Sequence, residues 1–100
     1  MIKKIKYGSL EMEDIIYKKV REDFRKRGFW VGNRKSVGFG SVLNVRKGKF
    51  DGFVIIDFAK TRYKDRQDLV ALRRYDDKTG SWKDVWSKSP RSFFEKGEIQ

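Results

Sequence analysis

Residues 36–60 read SVGFGSVLNVRKGKFDGFVIIDFAK, and this stretch decides the fold. Apolar residues alternate with small or polar ones over 36–47, a period of two that predicts a strand. The segment 47–52, KGKFDG, contains two glycines and predicts a hairpin loop. The apolar run over 53–60 predicts a second strand, whose most apolar face carries Val54, Ile56 and Phe58. The stretch as a whole therefore predicts an antiparallel β-hairpin.

One amphipathic helix is predicted before the hairpin, over about residues 10–27. Ser9 has the chemistry of a helix N-cap, and Gly28 suits the position just past a helix end. Apolar residues between them recur at spacings of three and four, which gives one stripe able to pack on a sheet. That stripe consists of Met12, Ile15, Ile16, Val20 and Phe24. Residues 1–8 precede the helix as a basic arm or an edge strand.

Two more strands are predicted after the hairpin, over 69–75 and 81–87. The residues at 76–80, DDKTG, have turn chemistry closed by a glycine, and they join these strands tightly. Trp82 and Trp86 are an even number of residues apart, so we expect them on one face of the last strand. Residues 89–100 form a tail, in which Phe93 and Phe94 are expected to pack on the body. The chain is thus predicted to be one α+β domain spanning residues 1–100, with one N-terminal helix packed on a four-stranded antiparallel meander sheet.

The composition argues against several functional classes. The 100 residues include neither cysteine nor histidine, which excludes disulfides, thiolate catalysis, the usual zinc ligands and the commonest general base. We therefore predict a protein that is not an enzyme and that holds no metal and no cofactor. The Cys-free, Lys/Arg-rich composition resembles that of thermophile proteins. The sequence contains no apolar stretch of membrane-spanning length, so we expect a cytoplasmic protein without membrane contact.

The charge points to a polyanionic partner. Lys and Arg number 25 against 14 Asp and Glu, a formal net charge of +11. So many positive charges on a small protein repel one another. They are tolerated when a polyanion such as nucleic acid is the usual partner. We therefore expect DNA or RNA to be that partner.

The candidate nucleic-acid-binding residues fall first into basic clusters interleaved with aromatics. One cluster comprises Trp30, Arg34 and Lys35, and a second at the hairpin tip comprises Arg46, Lys47 and Lys49. A third lies in the charged loop that follows the hairpin and comprises Lys60, Arg62, Tyr63, Lys64 and Arg66. Alternate residues of an extended loop point to one side, so the four cations of this loop can contact phosphates together.

The sheet face away from the helix supplies the remaining candidates, which are Phe53, Arg73, Tyr75 and Trp82. Unpaired bases stack on aromatic rings while arginines bind phosphates. Small residues on the same face, Gly38, Gly40 and Ala71, are expected to let bases approach closely. These features predict largely sequence-nonspecific binding of nucleic acid, with single-stranded DNA or RNA favoured over duplex DNA.

Two alternatives remain open from the sequence. A mixed aromatic face also suits a protein-interaction module, of a regulatory or viral accessory kind, that binds an acidic partner or a second copy of itself as a homodimer. A weaker alternative is a metal-dependent nuclease built on Asp51, Asp57 and Lys60. The acid-x-lysine spacing of such sites is missing, and we instead expect Asp57 to pair with Arg73 across the sheet.

Overall fold

In the computed structural model, which describes residues 4–38, 40–58 and 67–99, one helix packs against an antiparallel sheet. Helix α1 spans Leu10–Lys26. The strands are β1 (Trp30–Val31), β2 (Lys35–Val37), β3 (Gly40–Lys47), β4 (Phe50–Asp57), β5 (Leu69–Asp76) and β6 (Ser81–Lys88). Their order in the sheet is β1-β3-β4-β5-β6, with β2 also paired to β3, and a 3-10 turn at Pro90–Phe93 follows β6. The predicted α+β class is confirmed, but the described residues form six strands rather than four.

The extra strands arise because the predicted strand over 36–47 is itself folded back. β2 pairs antiparallel with β3, and Val37 lies opposite Gly40. β1 also pairs with the same edge of the sheet, through Trp30 opposite Arg46. Two-residue and three-residue strands are too short to leave a periodic signal in the sequence.

The central hairpin turns more tightly than the sequence indicates. Lys47 pairs with Phe50, so Gly48 and Lys49 alone form the turn instead of the whole segment 47–52. Gly48 has φ +59°, a conformation that glycine adopts without strain. Asp51 consequently belongs to β4 and lies opposite Arg46.

The predicted helix stripe is confirmed as the core contact. Its residues Met12, Ile16, Val20 and Phe24 are buried against one face of the sheet. That face contributes the buried residues Leu43, Val45, Val54, Ile56, Val70 and Leu72. The Ser9 hydroxyl accepts a hydrogen bond from the Met12 N–H (3.2 Å), as expected of an N-cap. Phe93 and Phe94 are partly buried against the same core, also as predicted.

A β-bulge separates the two tryptophans of β6. Leu72 lies opposite Trp86 but Arg73 lies opposite Asp84, so Val85 is an extra residue. An extra residue inverts the alternation of side chains along a strand. Trp86 therefore packs edge-on against Phe24 in the core (6.1 Å between ring centroids), whereas Trp82 lies on the other face of the sheet. The prediction that both share one face is wrong for this reason.

The N-terminal segment is tied to the body near the start of β5. Ile5 bridges to Ile99, and the Tyr7 hydroxyl donates a hydrogen bond to Asp68 Oδ2 (2.7 Å). Burial, followed by the hydrogen bond to Asp68, raises the pKa of Tyr7 to about 12. No helix in the described ranges has both the length and the apolarity needed to cross a bilayer.

Alkaline unfolding tests this N-terminal contact. Above pH 10 the unfolded chain loses the Tyr7 proton first, while the folded state keeps it until about pH 12, so the stabilising effect declines across this range. The stability advantage of the wild type over Tyr7→Phe, measured by urea unfolding, is expected to shrink from pH 9 to pH 12. All other side chains are identical in the two proteins, so the difference between them reports on Tyr7. A difference that stays constant with pH contradicts this role for Tyr7.

Candidate nucleic-acid interface

The face of the sheet opposite α1, called here the open face, carries a continuous row of side chains from one edge to the other. Trp30 lies opposite Arg46, and Arg46 lies opposite Asp51. Gly52 pairs with Arg74, which puts Asp51 beside Tyr75, and Tyr75 in turn lies opposite Trp82. A second row runs beside the first and contains Asn44, Phe53, Arg73 and Asp84.

Three rings at the β6 side of these rows form a contiguous cluster, called here the aromatic platform: Phe53, Tyr75 and Trp82. The centroid of Trp82 lies 4.9 Å from that of Phe53 and 5.5 Å from that of Tyr75. Trp82 is nevertheless 54% exposed and Tyr75 is 44% exposed. Rings that are fixed by contacts with one another but remain exposed to solvent are preorganised to stack on a planar ligand.

A fourth aromatic side chain occupies the opposite end of the row. Trp30 is 56% exposed, and the Arg46 guanidinium lies 5.3 Å from the centroid of its ring. A Cβ added at Gly32 would lie only 3.0 Å from the same ring, so the glycine lets the indole lie against the backbone. β1 and β6 are four strand spacings apart, which puts Trp30 at ~19 Å from Trp82 across the face.

The middle of the next row on the open face is buried. Ile55 and Ala71, in the next row, are 4% and 0% exposed. At Gly40, a Cβ would lie 1.7 Å from the Ile56 carbonyl oxygen, so this glycine serves close packing of two strands. The expectation that Gly40 and Ala71 leave room for bases is therefore wrong, and the exposed rings of this face lie in the rows near the hairpin tips.

The arginines of the open face are held by carboxylates. Arg73 lies opposite Phe53, and its Nε is 2.7 Å from Asp84 Oδ1, so the predicted pairing of Arg73 with Asp57 is wrong. Arg46 Nε is 3.5 Å from Asp51 Oδ1. These pairs keep the guanidiniums close to the rings and reduce the positive charge of the face.

A depression of about 520 Å³ lies at the tips of the two hairpins. It is lined by Asn44, Lys49, Phe50, Asp51, Gly52, Phe53, Arg74, Tyr75, Asp77 and Trp82. Lys49 and Arg74 are exposed, and within the described part of the chain no carboxylate lies within ion-pair distance of either. Nearby, Lys83 Nζ lies 2.7 Å from Asp76 Oδ2, and this contact, with the Lys78 N–H, holds the pKa of Asp76 below its usual value.

The hairpin tip also contacts the C-terminal end of α1. Lys47 Nζ donates to the Arg27 carbonyl oxygen (2.6 Å) and lies 5.4 Å from the Phe29 ring centroid. Lys47 thereby satisfies a helix-end carbonyl, where a cation is favoured by the helix dipole. The contact brings together five cations, called here the basic end: Arg25, Lys26, Arg27, Lys47 and Lys49. Of these, Arg27 also pairs with Asp23 at 3.1 Å.

The remaining predicted site residues lie elsewhere. Arg34 pairs with Asp14 of α1, and its guanidinium lies 4.9 Å from the Tyr17 ring centroid, so it ties the segment after β1 to the helix. Lys35 is exposed on β2 and lies opposite Val42, so it belongs to the row of the open face that contains Ile55 and Ala71. The predicted loop residues Lys60, Arg62, Tyr63, Lys64 and Arg66 lie outside the described residues.

Comparison of the chain with models of known protein families, with curated proteins and with solved structures finds no match. Across residues 4–38, 40–58 and 67–99, no three His, Cys, Asp or Glu side chains are grouped so as to hold a metal ion. The function must therefore be inferred from the geometry of the open face.

Six lining residues of the depression are not among the site residues predicted from the sequence: Asn44, Phe50, Asp51, Gly52, Arg74 and Asp77. The sequence indicates Asp51 only as a candidate metal ligand, because the whole segment 47–52 is predicted to be loop rather than strand. Alternation along β5 puts Arg74 on the helix-bearing face with Val70 and Leu72, yet Arg74 lies close enough to the hairpin tips to line the depression. A two-residue turn at Gly48-Lys49 would have pointed to Asp51 by placing it on the open face opposite Arg46.

Proposed function

We propose that the protein binds single-stranded nucleic acid on the open face, with little dependence on sequence overall. The observation that carries the proposal is the aromatic platform, whose exposed rings Tyr75 and Trp82 share one row of the sheet with the exposed Trp30. Stacking of a base on an aromatic side chain contributes about 1–3 kcal/mol. A row with rings at both ends offers stacking positions for more than one base of the same strand.

Phosphate contacts are supplied beside the rings. Lys49 and Arg74 border the depression, and Arg25 and Lys26 extend the positive surface along the basic end. The net charge of +11 raises the local concentration of a polyanion around the whole protein. Stacking thus provides the contact to bases, and the unpaired cations provide attraction for the backbone.

A preference for single strands follows from the use of ring faces. Bases in a duplex are already stacked on each other and cannot present their faces to the platform. A fluorescence titration of the tryptophans tests this directly. We expect quenching and tight binding with a single-stranded oligonucleotide, and weaker binding with the matching duplex. Equal affinity for both, without quenching, contradicts the proposal.

The salt dependence of binding identifies the phosphate contacts. Replacing Lys49 and Arg74 together by alanine removes two cations at the depression, and each phosphate contact on a single strand contributes about 0.7 to the slope of log K against log salt. The slope is therefore expected to fall by about 1.4. The matched control is the double change Lys18→Ala and Lys96→Ala, which alters net charge equally but lies outside the open face. An equal drop in slope for both double variants would show that only overall charge matters.

One observation favours a protein partner as the second candidate. The arginines of the open face are balanced by Asp51 and Asp84, and tryptophan, tyrosine and arginine are the residues most often found at the centre of protein interfaces. A homodimer through this face would bury Trp30 and Trp82. Sedimentation analysis separates the two functions, because self-association that Trp82→Ala abolishes would support the dimer.

A further inference from the structure

We infer that the depression at the hairpin tips selects guanine among the bases that stack on the platform, an inference that rests on the proposed function. Its volume of about 520 Å³ lies within the usual range of small-ligand sites, so one nucleotide can enter it. The rings of Phe53, Tyr75 and Trp82 line the depression and provide stacking surface. Lys49 and Arg74 line it as well, and they provide contacts for the attached phosphate.

The polar groups that reach a base in this depression include carboxylates. Asp51 lies in the row between Arg46 and Tyr75, and its side chain is 72% exposed. Its ion-pair contact to Arg46 Nε is 3.5 Å long, and among the described residues this contact leaves most of the acceptor capacity of Asp51 unused. Asp77 and the Asn44 side chain line the same depression. A base seated against the platform therefore meets hydrogen-bond acceptors on the protein at its polar edge.

Guanine is the base whose edge matches a carboxylate. Its N1–H and its N2 amino group are adjacent donors, so the two oxygens of one carboxylate can accept from both in a charge-assisted bidentate pair. Adenine and cytosine place an acceptor nitrogen next to their amino group. Thymine and uracil place a carbonyl on each side of their single N–H. In each of these bases a carboxylate oxygen meets an acceptor, which is repulsive.

Asp51 is the residue that we expect to determine this selectivity. Arg46, which lies beside Trp30, contacts the Asp51 carboxylate from one side and orients it. The aromatic platform lies on the other side of Asp51. Asp84, by contrast, is bound at 2.7 Å to Arg73 and does not line the depression. The two aspartates thus form a matched pair on one face, of which only Asp51 borders the depression.

The test uses a short oligothymidylate and two versions of it that carry one central guanosine or one central inosine. We expect the guanosine version to bind wild-type protein about tenfold more tightly than the thymidine version, the difference of one well-formed bidentate contact. Inosine lacks only the N2 amino group, and its affinity is expected to fall between the two. A single guanosine avoids the self-association of guanine-rich strands.

The protein variants are Asp51→Asn and, as control, Asp84→Asn. Asp51→Asn is expected to bind all three oligonucleotides within about twofold of one another, whereas Asp84→Asn keeps the preference. Asp51 is exposed, and a thermal melt of each variant checks that it is folded. Wild-type protein that binds all three ligands equally, or Asp51→Asn that keeps the preference, overturns guanine selection but leaves the proposed function intact. Absence of binding to any oligonucleotide overturns both.

Discussion

Protein in which Trp30 and Trp82 are both replaced by alanine is expected to bind single-stranded oligonucleotide at least about 30-fold more weakly than the wild type. Each ring contributes about 1–3 kcal/mol by stacking on a base. The rings lie at opposite edges of the sheet, ~19 Å apart, which is far enough for their effects to add. The combined loss is therefore about 2 kcal/mol or more.

The control for this variant is Val85→Ala. Val85 is 56% exposed on the same strand as Trp82, but it carries no ring and is the bulged residue. We expect its affinity to stay within about twofold of the wild type, as is usual for changes away from a contact. Fluorescence anisotropy of a labelled oligonucleotide measures the affinity of the wild type and of both variants. A label is needed because the double variant lacks two of the three tryptophans. If the double variant binds as tightly as Val85→Ala, stacking does not contribute to binding.

Gly40→Ala is expected to destabilise the fold by about 3 kcal/mol or more, the largest stability effect of any single change considered. The added Cβ would lie 1.7 Å from the Ile56 carbonyl oxygen and 2.9 Å from the Ile56 carbonyl carbon. Both atoms belong to the backbone of β4, so no flexible side chain can move away. β3 and β4 must separate at this end, which disrupts the pairs of Gly40 with Asp57 and of Ser41 with Ile56.

Gly38→Ala is the matched control, because a Cβ at Gly38 meets no atom within 4 Å and its φ is not positive. It is expected to keep wild-type stability or to gain slightly, through the smaller freedom of the unfolded chain. Urea unfolding of the two variants measures the difference. Equal stabilities would mean that β3 and β4 do not pack as closely at Gly40 as the structure shows.

Local patterns in the sequence sufficed to predict the helix and the two faces of the long strands. The stripe from Met12 to Phe24 has helical spacing, and Ser9 and Gly28 supply both of its ends, so no tertiary information was needed. The period-two pattern likewise assigns Val54 and Ile56 to the core and Phe53 and Tyr75 to the opposite face. These assignments depend only on each residue and its neighbours along the chain, so the sequence alone is enough to make them.

The bulge at Val85 and the turn at Gly48-Lys49 could not be predicted in the same way. A bulge depends on how β6 pairs with β5, and the alternation of β6 by itself assigns Trp82 and Trp86 to one face. The register of the central hairpin, which places Asp51 opposite Arg46, depends on a choice between loop lengths that KGKFDG allows. The depression is formed by residues of four strands and two turns, so its lining is a tertiary property.

The indole N–H signals of the three tryptophans provide the most direct test of base stacking on the open face. Two-dimensional ¹H–¹⁵N NMR spectra would be recorded while a short single-stranded oligonucleotide is added. The signals of Trp30 and Trp82 are predicted to move progressively, and that of Trp86, which packs on Phe24 on the other side of the sheet, is predicted to stay in place. Binding that leaves Trp30 and Trp82 unmoved, or that moves Trp86 instead, would contradict the account.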